Sequence, residues 1–492
     1  MNPLTHIAYD QHVLIKLPSD NSKICFIKKD GVIGLGKFGS FNINDIVGYP
    51  LGTTFDIVYD NSVEGSVTGT DALANAEAKV AEEKPKEGST DSEQAGQPAK
   101  KKQKKFVNKP VGKIVPRLYA TNIEAVDEDA EEEASSSESN AIVADAAADL
   151  IALQSSSATN KDLINLGSKV QKMTSEEIEK LKEASVDGQA IIQKIIESHE
   201  NFHQKTVYSQ EKYMSRKQKK FAKTFTVEYL TSSGLLQYLF YKGDTMRIND
   251  MSIETMAMLL NLGNVQPCGH YLVMDESGGL LVYALMERMF GGVNLEKENL
   301  GTITFVHESE HANLDLLKYS NYSPEFINKH IKTISVWEFF EPSTKEELAK
   351  DVVFLTNEQI NKLHPHKKGT YHRKLKWYHN QLELVDIANK KDYDGLILNT
   401  TLQLTSLVPK MGEYLHGSRP IVCYSQFREP LLELSHKLYT DLRYLAPTVL
   451  ETRCRPYQSI RGKIHPLMTM RGGGGYLLWC QKVLPVDPET LA

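Results

Sequence analysis

Between Lys212 and Lys223 the chain carries Lys212, Arg216, Lys217, Lys219, Lys220 and Lys223, with Tyr213 and Phe221 among them and no acid after Glu211. Cations at this density can neutralise several phosphates, while the aromatic rings between them pack or stack on bases. A solvated helix face is the other reading of the same residues. A second block, HPHKKGTYHRKLKWYH (364–379), holds Lys367, Lys368, Arg373, Lys374 and Lys376 with Tyr371 and Trp377 and no acid. RNA contact and a mobile solvated loop stand equally open for it. A third cluster gathers Arg453, Arg455, Arg461 and Lys463 around Tyr457 and His465. Net charge is only −6, so any field that holds a polyanion comes from these local blocks and not from the whole chain.

Other chemistries find less support. RGGGGY (471–476) has the composition of a phosphate loop, yet it leads into a strand, so no helix N-terminus is there to receive an anion. Close backbone approach at a sheet edge or subunit interface is expected of it instead. His307 and His311 have metal-ligand spacing on a helix, but His307 falls in a strand and no third ligand accompanies them, so no metal is expected. Cys25, Cys268, Cys423, Cys454 and Cys480 are too scattered for close pairing or a zinc site and read as isolated thiols of a reducing compartment. Without a run of about 18 apolar residues, neither secretion nor membrane insertion is expected.

The elements that must position these residues follow from periodicity. In residues 11–58 the runs HVLIKLP, KICFIKK and TFDIVYD alternate apolar and polar residues between glycines, which predicts a small β-barrel-like, β-rich domain over 1–60. KFVNKPVGKIVPRLYA (105–120) returns to it as a further strand. Residues 61–160 are rich in Ala, Ser, Glu, Lys and Gly and poor in aromatics, which predicts a low-complexity, largely disordered insertion. It contains PAKKKQKK (98–105), followed by the acidic run EAVDEDAEEEASSSE. Residues 161–250 read as a helical basic connector, with Thr174 and Glu177 at capping-box spacing ahead of a helix over about 175–200.

From 251 to 492 the apolar runs HYLVMDE, TITFVHE, ISVWEFF (334–340), DGLILNT and RPIVCYS alternate with helical stretches. That rhythm predicts a parallel sheet covered on both faces. VLETRCRPYQ and YLLWCQKVL predict an antiparallel hairpin with a short connection at one sheet edge. The combination is the plan of the class I methyltransferases, an α/β Rossmann-like fold.

GVIGLGKFGSFN (31–42), YSQEKYMSRKQKKF (208–221) and RPYQSIRGKIHPLMTMRGGGGYLL (455–478), in this order, resemble the family of the non-catalytic subunit of tRNA (adenine-58-N1)-methyltransferase in its fungal form. The resemblance spans both ends and the whole C-terminal domain. It implies a β-rich N-terminal domain and a Rossmann-like domain with a degenerate cofactor site. It also implies tRNA binding and pairing with a homologous catalytic subunit in a heterotetramer of two plus two, with S-adenosylmethionine expected in that partner and no cofactor in this chain.

Active members of the fold need a glycine loop after the first strand, because only glycine lets the backbone approach the methionine moiety closely. The corresponding segment here is LVMDESGGLLVYAL (272–285), where Asp275, Glu276 and Ser277 replace small residues and only Gly278 and Gly279 remain. Glu308 ends the second strand, where active relatives use an acid for the ribose hydroxyls; an ordinary polar strand end is the preferred reading. At the fourth strand, Asn399 stands where the resemblance leads one to expect an aspartate in the catalytic partner, and an amide cannot take a proton as a carboxylate can. The expected function is thus a non-enzymatic subunit that holds tRNA, with Lys212, Arg216, Lys217, Lys219, Lys220, Lys223, Lys367, Lys368, Arg373, Lys374, Arg455 and Arg461 as its RNA contacts. The resemblance also places the turn at Arg461 near the partner subunit. The Lys run at 98–105 predicts a nuclear address. The rival readings are a self-sufficient methyltransferase and an RNA-binding protein of the translation initiation type.

Overall fold

Alternating apolar and polar residues between glycines give each N-terminal strand one face for a core. The computed structural model describes residues 4–58, 111–117, 172–183, 188–200, 202–203, 205, 207–291, 300–356, 359–360, 364–460, 463–468 and 472–484. The segment 98–105, the acidic run and nearly all of 61–160 lie outside these residues, as does Arg461.

The first strands are β1 (His12–Lys16), β2 (Ser22–Phe26), β3 (Val32–Gly34), β4 (Ser40–Asn42), β5 (Thr54–Val58) and β6 (Lys113–Pro116). With β7 (Thr224–Tyr229) they form an antiparallel sheet in the order β2-β1-β7-β5-β6, while β3 and β4 make a separate hairpin. The hairpin closes over the same core, which joins Val13, Ile15, Phe41, Phe55, Phe225 and Val227. Phe41 and Phe225 stack with ring centroids 4.4 Å apart. At the β6 edge a Phe41–Gly112 bridge, with Gly112 N donating to the Ser40 carbonyl at 2.9 Å, joins the hairpin to the sheet, so the first unit is β-rich as expected. Its central strand β7 comes from the stretch that the sequence assigns to a helical connector. The alternation in TFTVEY is short and follows directly on the lysine block, and its partners are supplied by residues far away in sequence.

Thr174 and Glu177 form the expected capping box, with Glu177 N donating to Thr174 Oγ1 at 3.3 Å and Thr174 N donating to Glu177 Oε2 at 2.9 Å. The helix expected over 175–200 is two helices, α1 (Ser175–Glu183) and α2 (Gly188–Glu197). α2 packs Ile191, Ile192 and Ile195 against Phe221 of α3 (Val207–Phe221). Gly188 belongs at this crossing, since a Cβ there would meet the Phe221 carbonyl at 2.6 Å.

The second unit begins with α4 (Ser232–Tyr241) and α5 (Ile253–Leu262), then β8 (His270–Asp275), α6 (Leu280–Phe290), β9 (Thr302–His307), α7 (Pro324–His330) and β10 (Ile331–Ser335). It continues through α8 (Val336–Phe340), α9 (Lys345–Lys350), α10 (Pro365–Ala388), β11 (Gly395–Asn399), α11 (Leu404–Gly412), β12 (Pro420–Ser425) and α12 (Glu429–Tyr439). The last strands are β13 (Tyr444–Glu451), β14 (Tyr457–Ile460), β15 (Lys463–Pro466) and β16 (Tyr476–Lys482). The sheet order is β10-β9-β8-β11-β12-β16-β13, with β8 to β12 mutually parallel and β16 antiparallel to both neighbours. This is the class I methyltransferase order. Tyr271 to Asp275 and Leu396 to Asn399 are buried throughout because helices cover both faces.

Three expectations change. ISVWEFF is not one strand: Ser335 ends β10 and, with Glu338, forms the capping box that starts α8. The block 364–379 is not a loop but the first part of α10, opened by Pro365 in the first turn, where its missing N–H costs no hydrogen bond. β13 and β16 do pair, but residues 452–475 between them carry the β14–β15 hairpin, and β16 lies inside the sheet. β16 buries Leu477, Leu478 and Cys480, which suits an interior strand, whereas β13 leaves Leu445 exposed and takes the edge.

The two units are pinned by Asn321, whose Oδ1 accepts from His12 N at 2.6 Å and whose Nδ2 donates to His12 O at 3.0 Å. A side-chain amide thus mimics a strand partner at the end of β1.

Candidate functional site

In a parallel sheet of this order, ligands bind beyond the carboxyl ends of the strands, where the chain switches direction across β8 and β11. That rim holds Asp275 at the end of β8, Asn399 at the end of β11 and Tyr424 near the end of β12. All three are buried.

Asp275 accepts from Ser277 N at 2.9 Å and Ser277 Oγ at 2.5 Å, from Leu281 N in the first turn of α6 at 2.9 Å, and from Asn399 Nδ2 at 2.9 Å. Its carboxylate therefore occupies the N-terminus of α6, the place where this fold offers backbone N–H groups to a ligand. Burial pushes the Asp275 carboxyl above its ordinary range, and the hydrogen bonds from Ser277, Asn399 and Leu281 oppose that rise. Glu276 folds the other way and accepts from Thr400 Oγ1 at 2.5 Å and Thr401 N at 2.9 Å. Gly278 and Gly279, at φ +73° and +90°, supply the left-handed turn into α6.

Asn399 is used at both ends of its amide, since Oδ1 accepts from Asn249 Nδ2 at 3.0 Å. The Asn249 carbonyl in turn accepts from Tyr424 Oη at 2.7 Å. Asn249 and Asp250 are both left-handed, at φ +49° and +52°, a conformation Asn and Asp tolerate better than most residues. Over them passes the strap Gly473–Gly475, and a Cβ at Gly475 would collide with the Tyr424 ring. Thr255 Oγ1 donates to the Gly474 carbonyl at 2.8 Å. The glycines of RGGGGY thus serve close backbone approach, as the sequence indicates. The sequence reading missed Asn249 and Asp250, although an Asn-Asp pair between two helical stretches is a turn signal.

These residues do not fit S-adenosylmethionine. The polar atoms of the crevice satisfy one another, and admitting a ligand would break buried hydrogen bonds at about 1–3 kcal/mol for each group left unpaired. Asn399 faces a buried carboxylate, not an open site. Glu308 is exposed one residue beyond β9. His307 Nδ1 lies 2.7 Å from the Ser309 carbonyl, which uses that nitrogen as a donor and not as a metal ligand.

The cationic clusters occupy separate surfaces. On α3, Tyr213 and Phe221 turn toward α2, while Lys212, Arg216, Lys219 and Lys220 are exposed. Lys217 lies half-buried, its Nζ 5.0 Å from the Tyr213 ring centroid, and burial, then the charge of Lys220, lowers its pKa. Lys219 pairs with Asp20 of the N-terminal unit. Lys223 sits at the entrance of the first sheet, where its carbonyl accepts from Ile57 N at 3.0 Å. Lys367, Lys368, Arg373 and Lys374 lie on α10, which pairs with β10 through Lys332 and Glu383 at 2.5 Å. Arg455 is exposed where the chain leaves β13, at the opposite edge of the sheet, and Arg453 Nη2 donates to the Gly473 carbonyl at 3.1 Å.

A family model described as the Gcd10p family matches residues 6–364. A Candida glabrata protein named tRNA (adenine(58)-N(1))-methyltransferase non-catalytic subunit is 52% identical over 99% of this chain and 96% of its own length. Its namesake in Kluyveromyces lactis is 50% identical over 100% of this chain and 90% of its own length. Likeness to solved structures is weaker: the tRNA (m1A58) methyltransferase of Aquifex aeolicus is 12% identical, with 53% of this chain and 79% of that chain covered, at a TM-score of 0.30. The fold assignment accordingly stands on the strand order. Matched by that model over most of its length, and by relatives of that name from end to end, this chain belongs to the Gcd10p family.

Proposed function

We propose that this chain is the non-catalytic, tRNA-holding subunit of tRNA (adenine(58)-N(1))-methyltransferase, and that a homologous subunit brings S-adenosylmethionine and carries out the methylation. The observation that carries this reading is the crevice filled from within by Asp275, Asn399 and Asn249. The names of the relatives support it. In this reading the two subunits form a heterotetramer of two plus two in the nucleus, with the Lys run at 98–105 as the import address. tRNA is gripped by shape and phosphate through Lys212, Arg216, Lys217, Lys219, Lys220 and Lys223, through Lys367, Lys368, Arg373 and Lys374, and through Arg455 and Arg461.

Calorimetric titration and a tRNA methylation assay test it. The isolated chain is expected to bind no S-adenosylmethionine and to methylate nothing, whereas the chain together with its co-purifying subunit methylates tRNA. Stoichiometric cofactor binding by the isolated chain would overturn the proposal.

A further inference from the structure

Helix α10 is longer than the sheet it covers. Its 24 residues rise about 36 Å, whereas the five residues of β11 span about 17 Å. Its buried residues, Val385 and Ala388, lie at the end that leads into β11, and that half is tied down by Lys332 with Glu383 and by Lys345 with Asp386 at 2.9 Å. Because the helix is about twice as long as the strands it accompanies, its first half extends beyond the part that is tied down.

On that half Thr370, Arg373, Lys374 and Trp377 fall at helical spacing on one face and, with Asp351, line a shallow recess open to solvent. The neighbouring aromatic residues are engaged within the protein. Tyr371 Oη accepts from Leu355 N at 3.2 Å, and Tyr378 packs edge-on against Phe354. Among the described residues Trp377 makes no such ring or hydrogen-bond contact, and it is 42% exposed. Among the described residues Arg373 donates only to neutral groups, the Gly369 carbonyl at 3.3 Å and Thr370 Oγ1 at 3.4 Å, so its charge is not neutralised there. From His364 to Leu382 the helix carries no acid. A half-exposed indole flanked by Arg373 and Lys374, with Asp351 as the acid of the lining, matches a base with its phosphates better than it matches an apolar protein surface.

We propose that this recess stacks one unpaired base of single-stranded RNA on Trp377, with Arg373 and Lys374 on the adjoining phosphates. The inference rests on the reading of this chain as a tRNA-binding subunit and assigns that subunit a stacking site.

The test uses the assembled two-subunit complex carrying Trp377→Ala or Trp377→Phe. Trp377→Ala is expected to weaken tRNA binding on the order of tenfold, the range found when one base loses its aromatic partner. The salt dependence should stay as it was, because no charge is removed. Trp377→Phe should retain most of the affinity. tRNA and a short single-stranded oligoribonucleotide should both quench tryptophan fluorescence, and that quench should be smaller in Trp377→Phe. Unchanged affinity together with unchanged quenching overturns the proposal, and so does a Trp377→Ala complex that fails to assemble, which would make the recess a protein contact. If charge removal on α3 weakens tRNA binding and Trp377→Ala does not, only the stacking site falls. If neither has an effect, and charge removal at Arg373, Lys374 and Arg455 has none either, the tRNA-holding reading falls with it.

Discussion

Asp275 occupies the helix N-terminus that this fold offers to a ligand. A carboxylate at the end of β8 caps α6 from within through Oδ2, and Asn399 Nδ2 donates to its Oδ1. Asp275→Ala would leave Leu281 N, Ser277 N and Asn399 Nδ2 buried without an acceptor, and is expected to destabilise the chain by about 2–4 kcal/mol in denaturant unfolding. It should not create affinity for S-adenosylmethionine, since Glu276 and the Asn249 turn remain. The pH dependence has a definite sign. Burial outweighs the hydrogen bonds and raises the Asp275 carboxyl above its unfolded value. The stability linked to it is therefore fully present below the unfolded pKa of about 4 and is lost as pH rises through the folded value. Melting temperatures of the wild type and Asp275→Asn should show a difference, wild type minus variant, that shrinks as pH rises from about 4. A difference that grows instead would mean that the hydrogen bonds dominate.

Helix α3 illustrates how an element redistributes charge that looks uniform in sequence. Lys219 is committed to Asp20, and the Lys217 ammonium lies over the Tyr213 ring. Arg216 and Lys220 remain on the exposed side. Replacing both with Ala should flatten the salt dependence of tRNA binding by the assembled complex by roughly one to two units, because fewer counterions are released when fewer phosphates are neutralised. Assembly should persist, and methylation should fall mainly at low tRNA concentration. Lys217→Ala should act differently and cost about 1 kcal/mol of stability, since it uncovers aromatic surface. An unchanged slope would identify α3 as a solvated face and direct attention to α10 and Arg455.

Across the whole molecule, one cationic surface lies on α3 beside the N-terminal sheet, one on α10 beside β10, and one beyond β13 at the other sheet edge. The Asn321 clamp on β1 joins the two units through the His12 backbone. At the same scale belongs the address of the chain in the cell. On the proposed nuclear address, a tagged chain is expected in the nucleus by fluorescence microscopy and, with Lys100, Lys101, Lys102, Lys104 and Lys105 replaced with Ala, outside it; an unchanged distribution would remove these lysines as the signal.

Sequence alone determined what depends on local pattern: the strand and helix alternation after 270, the capping box at Thr174, the loss of the glycine loop at Asp275 to Ser277, and the close approach served by Gly473 to Gly475. Each is written in side-chain type and spacing over a few residues. Tertiary structure decided the rest, because it depended on partners distant in the chain. TFTVEY became the centre of the first sheet only through pairing with β1 and β5, and β16 moved inside the second sheet because both its faces could be buried. Asn249 became part of the crevice only where Asn399 and Tyr424 met it. Which cations remain exposed was likewise set by packing, since a lysine's neighbours across space, such as Asp20 for Lys219, are not its neighbours in sequence.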